Sequence, residues 1–453
     1  MLEDNEFVRP LGRFLFPHIF RAFRISIQPT KLILAFLALA TVCLTGRLMD
    51  FTGTVVVAPS GMTELDAYVS KSHSVQEHLD LFTESGTRTG VFTTLWHFGS
   101  QRFHEAILET FGADRDRDRI VDLPNSVAIL KHIVACFLAV AWAFTYHPVY
   151  SVVLFAVMLA IMSLCGGAIC RIAALQFAQG EKPGLGEALR FGGRKFHSFL
   201  TAPVVPFAII ALAGGFIFLL GLAGHYIPYV GELSLGLFMP LALLLAGGIA
   251  FFTIGTLAGF SLMFPTIAYE DSDCFDAFSH SYSYVYAQPW HMGFYTIVAF
   301  IYGAICYGFV RFFSYLLLRI TYLFLQLGFF RDETALTALW PKPQFTDFLG
   351  AAEAAPANWC GSVGAFLIYV SVLVVAGLMI SFVISFYFSS NTIIYALMRK
   401  RVDRTRLEDV QNRFDETEMG EPPLPTPPNG ERPAPESKAE PDATAEQKSE
   451  TSE

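Results

Sequence analysis

Five ionisable residues crowd one short stretch of the chain: Glu270, Asp271, Asp273, Asp276 and His280. Carboxylates interleaved with an imidazole in this way can hold a divalent ion or receive a cationic headgroup. A plainer account has more weight. Asp273 stands where a helix N-cap belongs, and Asp276 follows three positions later, so negative charge meets the positive end of the next helix.

A second cluster lies at residues 114–125, DRDRDRIVDLPN. Asp114, Asp116, Asp118 and Asp122, with Asn125, match ligand positions of a calcium loop of the EF-hand type. Arg119 stands where that loop needs glycine, and Asn125 replaces the bidentate acid. The three interleaved arginines also neutralise the aspartates locally, so a solvated charge run outweighs weak calcium binding on the outer side. His97 and His104, seven residues apart, are read as solvated rather than as metal ligands. There is no P-loop, no G-x-S-x-G elbow, no H-E-x-x-H and no dinucleotide fingerprint, so catalysis is not expected. Calcium is the only cofactor the sequence suggests.

What positions these residues is apolar chain. Of 453 residues, 53% are hydrophobic and only 16% charged, with a net charge of −9. That is far more apolar than an ordinary soluble domain. The acidity belongs to the tail: from Glu408 onward 13 acidic residues face 4 basic ones, so the remainder is neutral and offers no nucleic-acid surface. The seven cysteines include no C-x-x-C pair and lie mostly in apolar runs, where thiols behave as small hydrophobes. No cleavable signal peptide precedes the first apolar run.

The expected fold is all-α, a polytopic transmembrane bundle of about six spans. These are Leu32 to Phe51, Val149 to Ala174, Phe199 to Ala223, Leu233 to Phe260, Met292 to about Val310, and Gly361 to Leu397. Residues 1–31 form an amphipathic N-terminal segment, 32–407 the membrane domain with an outer loop over 52–147, and 408–453 a Pro/Glu/Ser-rich tail expected to be disordered. Three elbows, Phe14 to Pro29, Leu185 to Ser198 and Phe275 to Gln288, pair aromatics with polar groups before an outgoing span. They are expected as short surface helices on one membrane face. Val127 to Tyr146 carries Lys131 and His132, has about 14 uninterrupted apolar residues, and is expected to stay at the outer face. Past Val310, Arg311 and Arg319 suggest a separate aromatic-rich helix in the far interface. Glycines 166, 167, 247, 248, 255 and 259 are read as close-packing points between helices. Arg21 and Arg24, then Arg190, Arg194 and Lys195, then Arg399 to Arg406, put the elbows and both termini on the cytoplasmic side of the cell inner membrane.

The patterns GGAICRIAALQFAQGEKPGLGEALRFGGRKFHSF and FPTIAYEDSDCFDAFSHSYSYVYAQPW resemble those of uncharacterised polytopic membrane proteins of planctomycete-type bacteria, over roughly Pro29 to Val310. The elbow pattern alone is more distantly similar to the membrane domain that accompanies some glycerophosphoryl diester phosphodiesterases. The resemblance implies a helical membrane bundle and supplies no catalytic residues, because no phosphodiesterase domain is present. The functional expectation is a non-enzymatic membrane scaffold that binds membrane lipids or partner proteins, with a transporter for a lipid or small molecule as the alternative. A transporter needs a polar path at mid-membrane, and few ionisable groups fall within the spans.

Overall fold

The computed structural model describes residues 15–70, 74–82, 86–110, 126–227, 229–329, 333–345, 348 and 358–410. The aspartate loop, with Asp114, Asp116, Asp118 and Asp122, and residues 411–453 lie outside the described residues.

The described chain is helical apart from one two-stranded antiparallel sheet. A 3-10 turn, Phe16–Phe20, leads into α1 (Arg21–Ser26) and α2 (Pro29–Met49). The outer segment holds β1 (Val55–Val57), α3 (Glu64–Ser70), α4 (Ser74–Phe82), β2 (Thr87–Thr89) and α5 (Val91–Thr110). Then come α6 (Ser126–Tyr146), α7 (Pro148–Ala178), α8 (Leu185–Arg194), α9 (Phe196–Thr201), α10 (Val204–Tyr226) and α11 (Val230–Glu270). The chain finishes with α12 (Cys274–Ala287), α13 (Pro289–Gly328), α14 (Glu333–Leu339) and α15 (Trp359–Val402). Prolines open α2, α7 and α13 at the first helical position, where a missing N–H costs nothing.

Seven of these helices are long and apolar enough to cross a membrane, against the six expected. The protein is a multi-pass integral membrane protein. The added helix is α6: Lys131 and His132 do not interrupt it, because Lys131 points outward and His132 Nδ1 lies 3.4 Å from Glu105 of α5. The helix beyond Val310 is not separate either. α13 runs unbroken, and buried Arg311 is absorbed by Tyr307 and by the carbonyl of Phe345 in the outer loop.

At 41, 40 and 44 residues, α11, α13 and α15 are each about 60 Å long at 1.5 Å per residue, twice the hydrocarbon thickness. One end of the bundle therefore stands clear of the apolar layer, and there the core is densest. Ile19, Ala22 and Ile25 from the N-terminal elbow pack with Phe177, Tyr269, Tyr284 and Ile393 to Met398. A second cluster joins α2, α7, α8, α9, α11 and α12 through Leu34, Ile169, Phe191, Phe199, Met263 and Ala277. Gly166 and Gly167 admit the rings of Phe388 and Phe199, and Gly255 that of Tyr282. A side chain at any of the three would collide with a ring. Gly247 and Gly248, read from sequence as packing points, face open space. They sit on the α10–α11 hairpin, whose apolar surface is mostly exposed beyond its base.

All three elbows are helical, and each buries one face against the bundle while the other stays exposed. α12 folds back on α11, with Ala277, Ser281, Tyr284 and Val285 buried. Its Tyr282 donates to the Phe252 carbonyl at 2.9 Å, and Tyr286 donates to that of Phe251 at 2.5 Å. α1 is wedged against α15, where Ser385 donates to the Ser26 carbonyl at 2.8 Å. The aromatic periodicity that sequence reading assigned to the membrane interface is spent on helix contacts.

Candidate functional site

The C-terminus of α11 is the junction of the elbow end. A helix terminus leaves its last four carbonyls without partners inside the helix. Here cations from other elements reach one of them, at Ala268, and the cap carbonyl of Asp271. Arg171 of α7, itself buried, donates to the Ala268 carbonyl at 2.9 Å while its guanidinium lies 4.6 Å over the Phe191 ring. Lys195, between α8 and α9, donates to the Asp271 carbonyl at 2.9 Å and pairs with Asp271 Oδ1 at 3.1 Å. Both positive charges also meet the negative end of the helix dipole. Asp271 ends the helix in the left-handed region, at φ 51°, and is fully buried.

Glu270 is nearly buried and has three neighbours. Arg399 Nε lies 3.2 Å from Oε1, Tyr395 donates to the same oxygen at 2.5 Å, and His280 Nε2 is 3.7 Å from Oε2. Arg399 also stacks over Tyr269, 5.4 Å from the ring centroid, and donates to the Asp409 carbonyl at 2.6 Å. Tyr269, Tyr284 and Tyr395 form a ring cluster around this pair. Tyr284 donates to Asp403 just past α15; burial first, and that bond second, push its hydroxyl well above the usual phenol range. It therefore stays a donor at any physiological pH.

The five residues singled out by sequence do not converge. Glu270 and Asp271 point inward to separate cations. Asp273 is exposed and only 3.8 Å from Lys195, Asp276 is exposed, and His280 is half-buried beside Glu270. Among the described residues no group of three or more His, Cys, Asp or Glu is placed to hold a metal ion. Asp273 does precede α12 as its N-cap residue, in extended conformation, although its side chain makes no capping bond. Sequence reading passed over Arg171, Lys195, Tyr395 and Arg399 as partners. The available signal was Arg171, a single charge inside an apolar run, which needs a buried acceptor.

The other concave feature is apolar. Between α11, α13 and α15 lies a cavity of about 270 Å³, lined by Ser261, Ala299, Gly303, Phe386, Asn391 and Ile394 among others, with Phe103 of α5 at one edge. Gly303 lets the Phe386 ring close its floor. Several of its polar groups are spent within their own helices: Asn391 donates to the Tyr387 carbonyl, Ser390 to the same carbonyl and Thr296 to that of Met292. The cavity reaches the surface through half-exposed Phe103, Phe300 and Tyr387.

Compared with family models, curated proteins and solved structures, the chain matches none.

Proposed function

We propose that this is a non-enzymatic lipid-binding protein of the cell inner membrane, holding one acyl chain in the side-opening cavity between α11, α13 and α15. The observation that carries this reading is the lining. It is almost wholly apolar, and it opens between helices whose outer faces carry exposed Leu257, Phe260, Ile297 and Ile301. From Thr296 to Tyr307 the cavity runs about 16 Å along α13 at 1.5 Å per residue, a length suited to one extended chain. Its volume falls just under the range of about 300 to 1,000 Å³ usual for drug-sized ligands, which favours a chain over a whole lipid.

In the proposed topology both termini and all elbows are cytoplasmic. Six spans cross the membrane, and α5 and α6 form a hairpin that returns to the face it leaves. Supporting this, α5 and α6 pair in antiparallel fashion: Glu105 meets His132 at one end, and Val91 clusters with Ala143 at the other.

The test is native mass spectrometry of the purified protein with extraction of bound lipid. Wild type is expected to retain about one lipid per chain. Gly303→Phe, which fills the cavity and crowds the Phe386 ring, is expected to lose it at some cost in thermal midpoint. Equal lipid retention by a folded Gly303→Phe variant would end the proposal.

A further inference from the structure

The strap that follows α15 gathers four cations that form no ion pair among the described residues. α15 ends on Arg399, Lys400 and Arg401, and the chain then reverses at Arg404, which sits in the left-handed region at φ 56°. Residues 405–410 return along the bundle end and are pinned through their backbone. Tyr269 donates to the Leu407 carbonyl, Arg399 to that of Asp409 at 2.6 Å, and Gln179 to that of Glu408 at 3.5 Å. The result is a fixed turn rather than a loose basic segment, and its side chains enclose an open cleft of about 590 Å³. Lys400, Arg404, Thr405, Arg406, Leu407 and Glu408 line it.

Two features of this cleft point to an anion. Lys400, Arg401, Arg404 and Arg406 are all exposed and form no ion pair among the described residues, whereas Arg399 and Lys195 beside them are paired. The Thr405 hydroxyl lies at the cleft wall without a hydrogen-bond partner among the described residues, an arrangement that costs free energy until an acceptor arrives. One carboxylate, Glu408, also lines the cleft and is outnumbered by the three cations there. The N-terminal elbow adds to the same field: Arg21 and Lys400 both act on His18, whose pKa is lowered by burial first and by these two charges after it.

We propose that this cleft binds the phosphate of an anionic lipid headgroup, a phosphomonoester before a diester. Arginine and lysine donors clustered with a free hydroxyl suit a doubly charged phosphate, which accepts charge-assisted bonds at several oxygens. Charge favours a lipid over a free ion: four exposed cations follow the apolar run of the last helix, and basic clusters flanking a span attract anionic headgroups over about a Debye length. The assignment rests on the membrane reading but not on the apolar cavity, which is a separate site.

The experiment uses the full chain in neutral detergent, titrated calorimetrically with dihexanoyl phosphatidic acid, dihexanoyl phosphatidylcholine and inorganic phosphate. Saturable binding of the phosphatidic acid is expected, at least tenfold tighter than inorganic phosphate, with no saturable signal for the choline lipid. The R404Q/R406Q double variant is expected to weaken it at least tenfold. T405V, which keeps every charge, is expected to weaken it several-fold. Arg88→Gln on β2 and Gly303→Phe in the apolar cavity are expected to leave it unchanged. Equal affinity for the choline lipid, or a folded R404Q/R406Q variant that binds like wild type, would overturn the site. Inorganic phosphate binding as tightly as the lipid would overturn the headgroup assignment.

Discussion

Tyr150, at the start of α7, donates to Asp50 Oδ1 at 2.6 Å, closing a loop of 100 residues. The same carboxylate accepts the backbone N–H of Phe92 at 3.0 Å and of Thr93 at 2.8 Å, so it caps α5 from a distance. The end of α2, the start of α5 and the start of α7 therefore meet at one point. Whatever depth α5 and α6 reach, the chain returns to the side on which α2 emerged. Because the N-terminal elbow and the strap after α15 share the other end, the proposed topology has an even number of crossings, although seven helices qualify by length and apolarity. Single cysteines at Ser60 and His147, in a chain whose native cysteines are replaced, are expected to react with impermeant reagent from the same side. Labelling from opposite sides would make α6 a lone crossing and remove this topology.

The Glu270–Arg399 pair gives a stability prediction. Both groups are nearly buried, so removing one leaves the other charged and unsolvated; such losses cost about 3 to 5 kcal/mol. Arg399→Met is expected to lower the thermal midpoint in detergent by many degrees, and Glu270→Gln by less, because the amide keeps an acceptor for Tyr395. The double variant Glu270→Gln, Arg399→Met is expected to recover part of the loss. Additive effects in that thermal cycle would mean the pair is not coupled.

Much of this architecture was legible in the chain, and the misses share a cause. Proline at 29, 148 and 289, and Asp273 before an aromatic period, marked element starts that the structure keeps. The tyrosines of α12 were assigned to the membrane interface because an amphipathic stripe has the same spacing whether it meets lipid or protein. Only the carbonyls of Phe251 and Phe252, brought close by folding, distinguish the two. The cationic partners of Glu270 and Asp271 lie 129 and 76 residues away in sequence, beyond the reach of any local pattern. Arg311 reads as a helix interruption because one of its acceptors, the Phe345 carbonyl, appears only once the outer loop packs down, although Tyr307 stands one turn back on the same helix.

His18 gives the pH dependence. Burial, then Arg21 and Lys400, lower its pKa in the fold, partly offset by its bond to the Leu15 carbonyl. Protonation therefore favours the unfolded chain. The contribution of His18 is intact above its unfolded value near 6.5 and is lost as pH falls below it. Thermal midpoints in neutral detergent are expected to fall between about pH 7 and pH 5.5, and His18→Gln is expected to flatten that slope. Dihexanoyl phosphatidic acid should also flatten it in the wild type, by offsetting the field of Arg21 and Lys400. An unchanged slope in the His18→Gln variant would assign the acid sensitivity to another group.

Lys31 closes the set, because a fully buried lysine in a span is either a liability of the fold or a working group. Its ammonium, on α2, donates to Gln176 Oε1 of α7 at 2.8 Å, and it forms no ion pair among the described residues. The two partners are therefore unequal. Replacing Lys31 with Met removes a buried charge and leaves only a neutral amide short of one donor, so Lys31→Met is expected to be neutral or stabilising in the thermal midpoint. Replacing Gln176 with Leu leaves the ammonium without its acceptor, at about 1 to 3 kcal/mol or more for a charged donor. Gln176→Leu is expected to lower the midpoint clearly, and Lys31→Met in the same chain to restore it. If Lys31→Met instead destabilises as much as Gln176→Leu, the pair is structural in both directions. If Lys31→Met leaves stability and lipid retention intact but abolishes growth complementation in a deletion strain, the lysine is a working group of a transporter, and the scaffold reading gives way.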